Sequence, residues 1–148
     1  MYQDSEITKD LLREWQWLVG NDMKIIHVLR SGDAILADNK GFIYRLVTGE
    51  GKYMKIADTL KEFDKKMLDH EFYKEQTLEP VVAKLQKEKP LKENQVYSFT
   101  TLPVLGGTYT VENMYPLSVE EHFSVTGDIC FQIKDLKDGE KVQIKVTD

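Results

Sequence analysis

The sequence is almost without the residues from which thiol and metal sites are built: one cysteine, Cys130, and three histidines in 148 residues. A lone cysteine closes no internal disulfide and offers no zinc-ligand spacing, so Cys130 is expected as a small buried hydrophobe in a reducing compartment. No apolar run approaches membrane-spanning length. The first 25 residues carry Asp4, Glu6, Asp10 and Glu14 where a secretory leader would be apolar. A soluble, cytoplasmic protein without a membrane anchor is therefore expected. Positive charge is missing from a whole stretch of chain: there is no Lys or Arg between Lys92 and Lys134, while Glu93, Glu112, Glu120, Glu121 and Asp128 fall there, and the net charge is -5. A nucleic-acid reader needs cations to replace phosphate counterions, so direct binding of DNA or RNA is disfavoured. The interval reads either as a core-forming segment with few lysines or as an acidic face that meets a basic protein. On the second reading Glu112, Glu120, Glu121 and Asp128 are candidate partner-binding residues.

What is present suits one α+β domain spanning residues 1–148. A chain of this length buries roughly 68–70% of its unfolded surface, and 41% apolar with 30% charged residues is ordinary globular usage. Residues 7–19 place Leu11, Trp15 and Leu18 on one stripe, flanked by Leu12 and Val19, which predicts an amphipathic helix ending at Gly20-Asn21. At that spacing the tryptophans belong to a core rather than a ligand box. From Lys24 to Ala57, "KIIHVLR", "AILA", "FIYRLV" and "YMKIA" read as four antiparallel strands in a meander, with Gly41 supplying a hairpin turn. Their mixed period-2 faces imply that part of this sheet is covered on both sides. Thr59 with Glu62 forms a capping box for a helix bearing Leu60, Phe63 and Met67. A second helix carries Leu78, Val81, Val82 and Leu85, with Pro80 in its first turn after a Thr77 cap. Ser118 and Glu121 open a last helix over Val119, His122, Phe123, Thr126, Ile129, Cys130 and Ile133, weakened at Gly127 by up to roughly 1 kcal/mol relative to Ala. The tail "KVQIKV" alternates as an edge strand guarded by lysines.

The stretch "LPVLGGTYTVENMY" at residues 102–115 poses a choice between a phosphate loop and a bend. A dinucleotide fingerprint needs three spaced glycines and a helix behind them. Here Gly106 and Gly107 lead into an alternating run with Tyr109, Val111, Asn113 and Tyr115 on one face, which predicts a strand. The glycine pair then serves a bulge or a close backbone approach, and Asn113 is a hydrogen-bonding partner for loop backbone. Catalytic constellations are missing as well. His122 and Cys130 stand eight residues apart on one predicted helix, about 12 Å along its axis and beyond activation distance. His27 and His70 have no partner at metal-ligand spacing, and the carboxylate pairs Glu120-Glu121 and Asp135-Asp138 are local. No catalytic, cofactor or metal residue is assigned.

Taken in order, Gly32-Asp33, the segment Ile56 to Phe63, the block from Tyr97 to Asn113 and the pair Glu121-His122 resemble the family typified by the C-terminal domain of a type VI secretion immunity protein directed against a DNase toxin. The resemblance covers roughly residues 10–140. It implies an α+β domain within or near the SUKH-type superfamily, with a twisted antiparallel sheet made of the meander plus the later strands, and helices packed on it. It further implies a non-catalytic protein that neutralises a cognate toxin domain by occlusion, without cofactors. Gly106, Gly107 and Asn113 then act as fold determinants. The alternative, from the fungal cell-wall-regulator branch of the superfamily, is an intracellular regulatory or scaffold module.

Overall fold

The computed structural model describes residues 10–136. The strand expected over residues 141–146, Asp138 and the first residues of the expected N-terminal helix lie outside that range. Four strands, β1 (Lys24–Val28), β2 (Ala34–Ala37), β3 (Ile43–Val47) and β4 (Lys52–Ala57), form an antiparallel meander in the order of the chain. The turn between β2 and β3 is built by Asp38, whose carboxylate accepts from the Lys40 and Phe42 backbone N–H at 3.0 and 2.9 Å, and by Gly41 at φ 85°. Both faces of the sheet are covered. Ala34, Leu36 and Leu46 pack with Trp15 and Phe123, while Ile35 and Ile43, on the opposite face, pack with Ala57 and Phe63. This two-sided burial is why β2 and β3 show no clean alternation.

The N-terminal helix is broken: a 3-10 turn at Arg13–Trp15 precedes α1 (Gln16–Val19), which stops at Gly20 with φ 80°. Leu11, Leu12, Trp15 and Val19 are buried, and Trp15 stacks on Trp17. Helix α2 (Leu60–Lys66) starts at Thr59, whose hydroxyl accepts from the Glu62 N–H at 3.0 Å, and Phe63 is its buried residue. The next segment departs from the sequence reading, which placed one helix after a Thr77 cap. There are two, α3 (His70–Thr77) and α4 (Val81–Glu88). Asp69 caps α3, accepting from the Phe72 N–H at 3.0 Å; α4 has Pro80 at its N-cap without a side-chain cap, and the preceding Glu79 carboxylate accepts from the Ala83 N–H at 3.2 Å. Thr77 instead ends α3, donating its hydroxyl to the Tyr73 carbonyl at 2.7 Å. Helix α3 escapes a periodicity search because its residues are mostly polar, with only Phe72 and Tyr73 aromatic among them, so only the Asp69 cap marks it.

Strands β5 (Gln95–Phe99) and β6 (Met114–Ser118) pair with each other and form a second sheet, rather than extending the meander. The predicted strand with Tyr109, Val111, Asn113 and Tyr115 on one face is replaced over its first half by a loop and a 3-10 turn at Val111–Asn113, so that pairing begins only at Met114. Alternation lost there to local hydrogen bonds of Asn113, described below. Pro116 lies inside β6, opposite Tyr97, a position tolerated because β6 is an edge. The sheets meet where the Tyr97 N–H donates to the Arg30 carbonyl at 2.8 Å. Helix α5 (Val119–Ile133) is capped by Ser118, which accepts from the Glu121 N–H at 3.2 Å, and buries His122, Phe123, Thr126 and Cys130. It lies across the Arg13–Trp15 turn, and Gly127 makes the close approach possible.

A Cβ on Gly127 would stand 2.7 Å from the Glu14 carbonyl oxygen and 2.8 Å from the Glu14 Cβ. Helix propensity alone would make Gly127→Ala stabilising by roughly 1 kcal/mol. The contact reverses the sign: a net loss of about 1–3 kcal/mol is expected, since α5 must move off the turn. The urea midpoint checks this, and a raised midpoint would show that the approach is not tight.

Candidate functional site

The turn between β1 and β2 is buried, and its Gly32 carbonyl and Asp33 carboxylate are met by groups from distant segments, while the Ser31 hydroxyl is enclosed without a partner. Ser31, Gly32 and Asp33 are all enclosed. Arg45 on β3 places Nε and Nη2 on Asp33 Oδ2 at 3.0 and 2.9 Å, and its Nη1 donates to the Glu75 carbonyl at 3.1 Å. Thr48, just after β3, donates its backbone N–H to Asp33 Oδ1 at 3.1 Å. Burial pushes the Asp33 carboxyl up from the usual range, opposed by the Arg45 guanidinium and by Thr48. His122 closes the arrangement from α5. Its Nε2 lies 3.0 Å from the Gly32 carbonyl oxygen and 2.9 Å from Thr48 Oγ1, and its Nδ1 lies 2.8 Å from Ser98 Oγ on β5. A carbonyl only accepts, so Nε2 carries the proton and Nδ1 accepts from the Ser98 hydroxyl. Burial pushes the imidazole down to about 4, against the pull of the Gly32 carbonyl, and it is neutral at pH 7. Gly32, at φ 93°, leaves the room: a Cβ there would stand 2.4 Å from His122 Nε2.

Cys130 is buried beside this cluster, and burial pushes its thiol up to about 12. It is a packing residue rather than a nucleophile. His122 is fully buried and does not line the cavity described below. Among the described residues no group of three His, Cys, Asp or Glu could hold a metal ion.

The Gly106-Gly107 stretch is a loop held by one side chain. Asn113 Nδ2 donates to the carbonyls of Thr101 and Thr108, both at 2.8 Å, while its Oδ1 accepts from the Thr101 N–H at 3.0 Å. Gly107 passes so close to this backbone that a Cβ would overlap the Thr101 carbonyl oxygen at 1.8 Å. Gly106, at φ 97°, ends a 3-10 turn over Pro103–Leu105. The N–H groups of Leu105, Gly106 and Gly107 donate to the Leu102 and Pro103 carbonyls of the same loop, while that of Val104 donates to the Gly49 carbonyl.

The four acidic candidates fall in two places. Glu120 and Glu121 are exposed in the first turn of α5, and Asp128 lies seven residues beyond Glu121 on the same face, about 10 Å along the axis. Glu120 accepts from Asn94 Nδ2 at 3.0 and 3.2 Å. Glu112 sits before β6, and that five-residue strand, about 17 Å long, separates it from the start of α5. A second concentration of carboxylates was not legible in the sequence. Glu50, Glu71, Glu75 and Glu79, with Lys74 and Tyr109, line an open cavity of about 540 Å³. Tyr109 donates to Glu50 Oε2 at 2.5 Å and Lys52 pairs with Glu50 at 3.2 Å. Partial burial pushes the Glu50 carboxyl up, but these two partners outweigh it and hold it below the usual range. The i, i+4 spacing of Glu71 and Glu75 on α3 was a signal for one wall, whereas Glu79 follows the left-handed Leu78 that ends the helix. Nothing in the sequence places Glu50 and Tyr109 opposite.

A family model described as T6SS immunity protein Tdi1, C-terminal, matches residues 57–130, which is half of the chain. That segment runs from the end of β4 to Cys130 in α5. It includes Asn113 and His122 but not Asp33, Arg45 or Thr48. No curated protein matches the chain. Among solved structures the chain is similar to Atu4351 from Agrobacterium tumefaciens, with a TM-score of 0.56 and 15% identity, over 82% of this chain and 63% of that one. At that identity the likeness concerns the fold alone.

Asn113→Ala removes three bonds to loop backbone, and a stability loss of about 1–3 kcal/mol is expected. Asn113→Asp at pH 7 points a carboxylate at two carbonyl oxygens, so the loss is at least as large, and it shrinks at low pH where a protonated carboxyl again donates. Thermal unfolding of both variants relative to the unmutated protein at pH 7 and pH 4 checks the order.

Proposed function

The chain belongs to the T6SS immunity protein Tdi1 C-terminal family, and from that premise we propose that it acts in the cytoplasm as a non-catalytic antidote that binds a toxin domain and occludes it. The family match carries this reading. The distribution of charge supports a basic face on the partner: the Lys- and Arg-free interval puts Glu120, Glu121 and Asp128 on α5, and Glu71, Glu75 and Glu79 line the cavity beside Tyr109. Complementary charge of this kind speeds encounter and selects partners more than it adds affinity. His122 and Cys130, the imidazole and thiol of α5, are both buried. Among the described residues no helix is long and apolar enough to cross a membrane.

The first experiment is capture of partners from the source lysate at moderate salt, followed by protection of cells expressing whatever toxin-like domain is recovered. Recovery of one such domain in near-equal amount, with protection, supports the antidote. Endogenous proteins only, without protection, would favour the regulatory or scaffold module. With the partner in hand, two triple reversals locate the face. Glu71, Glu75 and Glu79 to Lys, or Glu120, Glu121 and Asp128 to Lys, should slow association by about tenfold or more at low salt and much less at high salt for the set that faces the partner. If neither set changes the rate, an acidic interface is wrong.

A further inference from the structure

We propose that His122 is an acid-sensitive lock that holds the β5/β6 sheet against the four-stranded sheet, so that protonating it releases the small sheet while the meander stays folded. The ring bonds to both sides of the junction at once. Gly32 and Thr48 belong to the meander, Ser98 belongs to β5, and His122 itself stands on α5 between them. The small sheet has a core of its own in which Val82 and Leu85 of α4 pack on Tyr97, Phe99 and Met114. That cluster is separate from the one that joins Ile35, Ile43 and Phe63 on the far face of the meander. Each unit thus keeps a buried core when the junction opens. Other ties across the junction include Val96 and Leu102 in the central core, the close packing of Gly49 on Phe99 and Pro103, and bonds from Tyr97 to Arg30, from Val104 to Gly49 and from Tyr109 to Glu50.

The charged and titratable groups facing the ring leave an added proton uncompensated. Asp33 is reached only through the Thr48 hydroxyl, and its charge is already matched by Arg45. Cys130 is a protonated thiol on the Thr48 carbonyl about two helical turns further along α5, and the Tyr97 phenol lies on the other face of β5 from Ser98, where it donates to the Lys89 carbonyl at 2.8 Å. An imidazolium enclosed without a free carboxylate must be hydrated, and opening the junction is the route to water. Because the folded ring titrates at about 4, below the ordinary histidine value of about 6.5, its neutral form stabilises the closed state. That contribution is complete above the ordinary value and is lost as pH falls from there through the folded value. Glu50 is held ionised below the usual carboxylate range, so its bond to Tyr109 outlasts the lock.

Amide hydrogen exchange followed by NMR on the full chain between pH 7 and pH 4, corrected for intrinsic rates, tests this. The opening constants of β5 and β6 amides, the Tyr97 N–H among them, should rise by about tenfold per pH unit below pH 6. Those of β2 and β3 should not rise over the same range, since the Asp33 carboxyl, raised by burial, takes up its proton in the folded state. In His122→Gln the pH dependence of β5 and β6 should disappear, and in the unmutated protein the His122 ring signal should report the Nε2-protonated tautomer at pH 7. Equal opening of both sheets, or a flat profile in β5 and β6, overturns the lock. Should His122→Gln fail to fold, the profile of the unmutated protein decides the question.

Discussion

A buried turn is the constraint on which this structure depends. Packing helices on both faces of the meander leaves the Ser31-Gly32-Asp33 turn without water, although its backbone still carries a full set of donors and acceptors. Leaving such groups unmet costs about 1–3 kcal/mol each. Leu29 meets the Gly32 N–H and the Asp33 carbonyl, Thr48 and His122 meet the Gly32 carbonyl, and Arg45 with the Thr48 N–H meets the Asp33 carboxylate; because those residues come from the end of β1, from β3, from the segment after β3 and from α5, satisfying the turn also fixes how these parts sit together. The Arg45 side chain extends the same logic to α3 by donating to the Glu75 carbonyl. Polar junctions of this kind hold position more than they add stability, since each buried charge also pays its desolvation.

A second fastening, smaller and nearer the surface, holds the loop between β5 and β6. There one amide, Asn113, takes the place of a strand ladder by bonding Thr101 and Thr108, and Gly107 gives it the necessary closeness. The held loop carries Tyr109, which stacks edge-on against Phe99 and reaches Glu50 in the meander. The wall of the acidic cavity therefore comes from the small sheet, its floor from Arg45 and Glu50, and its far side from α3 and the Leu78-Glu79 segment after it. A surface assembled from three parts keeps its shape only while the junction between the sheets stays closed.

The family relation and the geometry bear on different questions. The match over residues 57–130 speaks for toxin neutralisation. It says nothing about which face meets the partner, and its span leaves out Glu50 and the whole Asp33-Arg45 pair. The physical description of the surface supplies what the family lacks: two separate concentrations of carboxylates, one on α5 and one around Tyr109, that separate experiments distinguish.

By itself the sequence determined the local elements whose signals are short-range. The meander, the Thr59 and Ser118 caps, the stop at Gly20 and the closeness allowed by adjacent glycines all rest on interactions within a few residues, where composition and spacing decide the outcome. The α+β class and the family resemblance were legible for the same reason, since both are carried by the order of such pieces. Tertiary structure alone decided that the later strands form their own sheet, that Val111–Asn113 curls into a 3-10 turn, that α3 exists as a separate helix, and that His122 bonds Gly32, Thr48 and Ser98 at once. It also gathered Glu50, Glu71, Glu75 and Glu79 around one cavity. Those outcomes depend on contacts between residues as far apart as Gly32 and His122, whose strength comes from shared exclusion of water, and no local pattern of residues records which distant segment will share it.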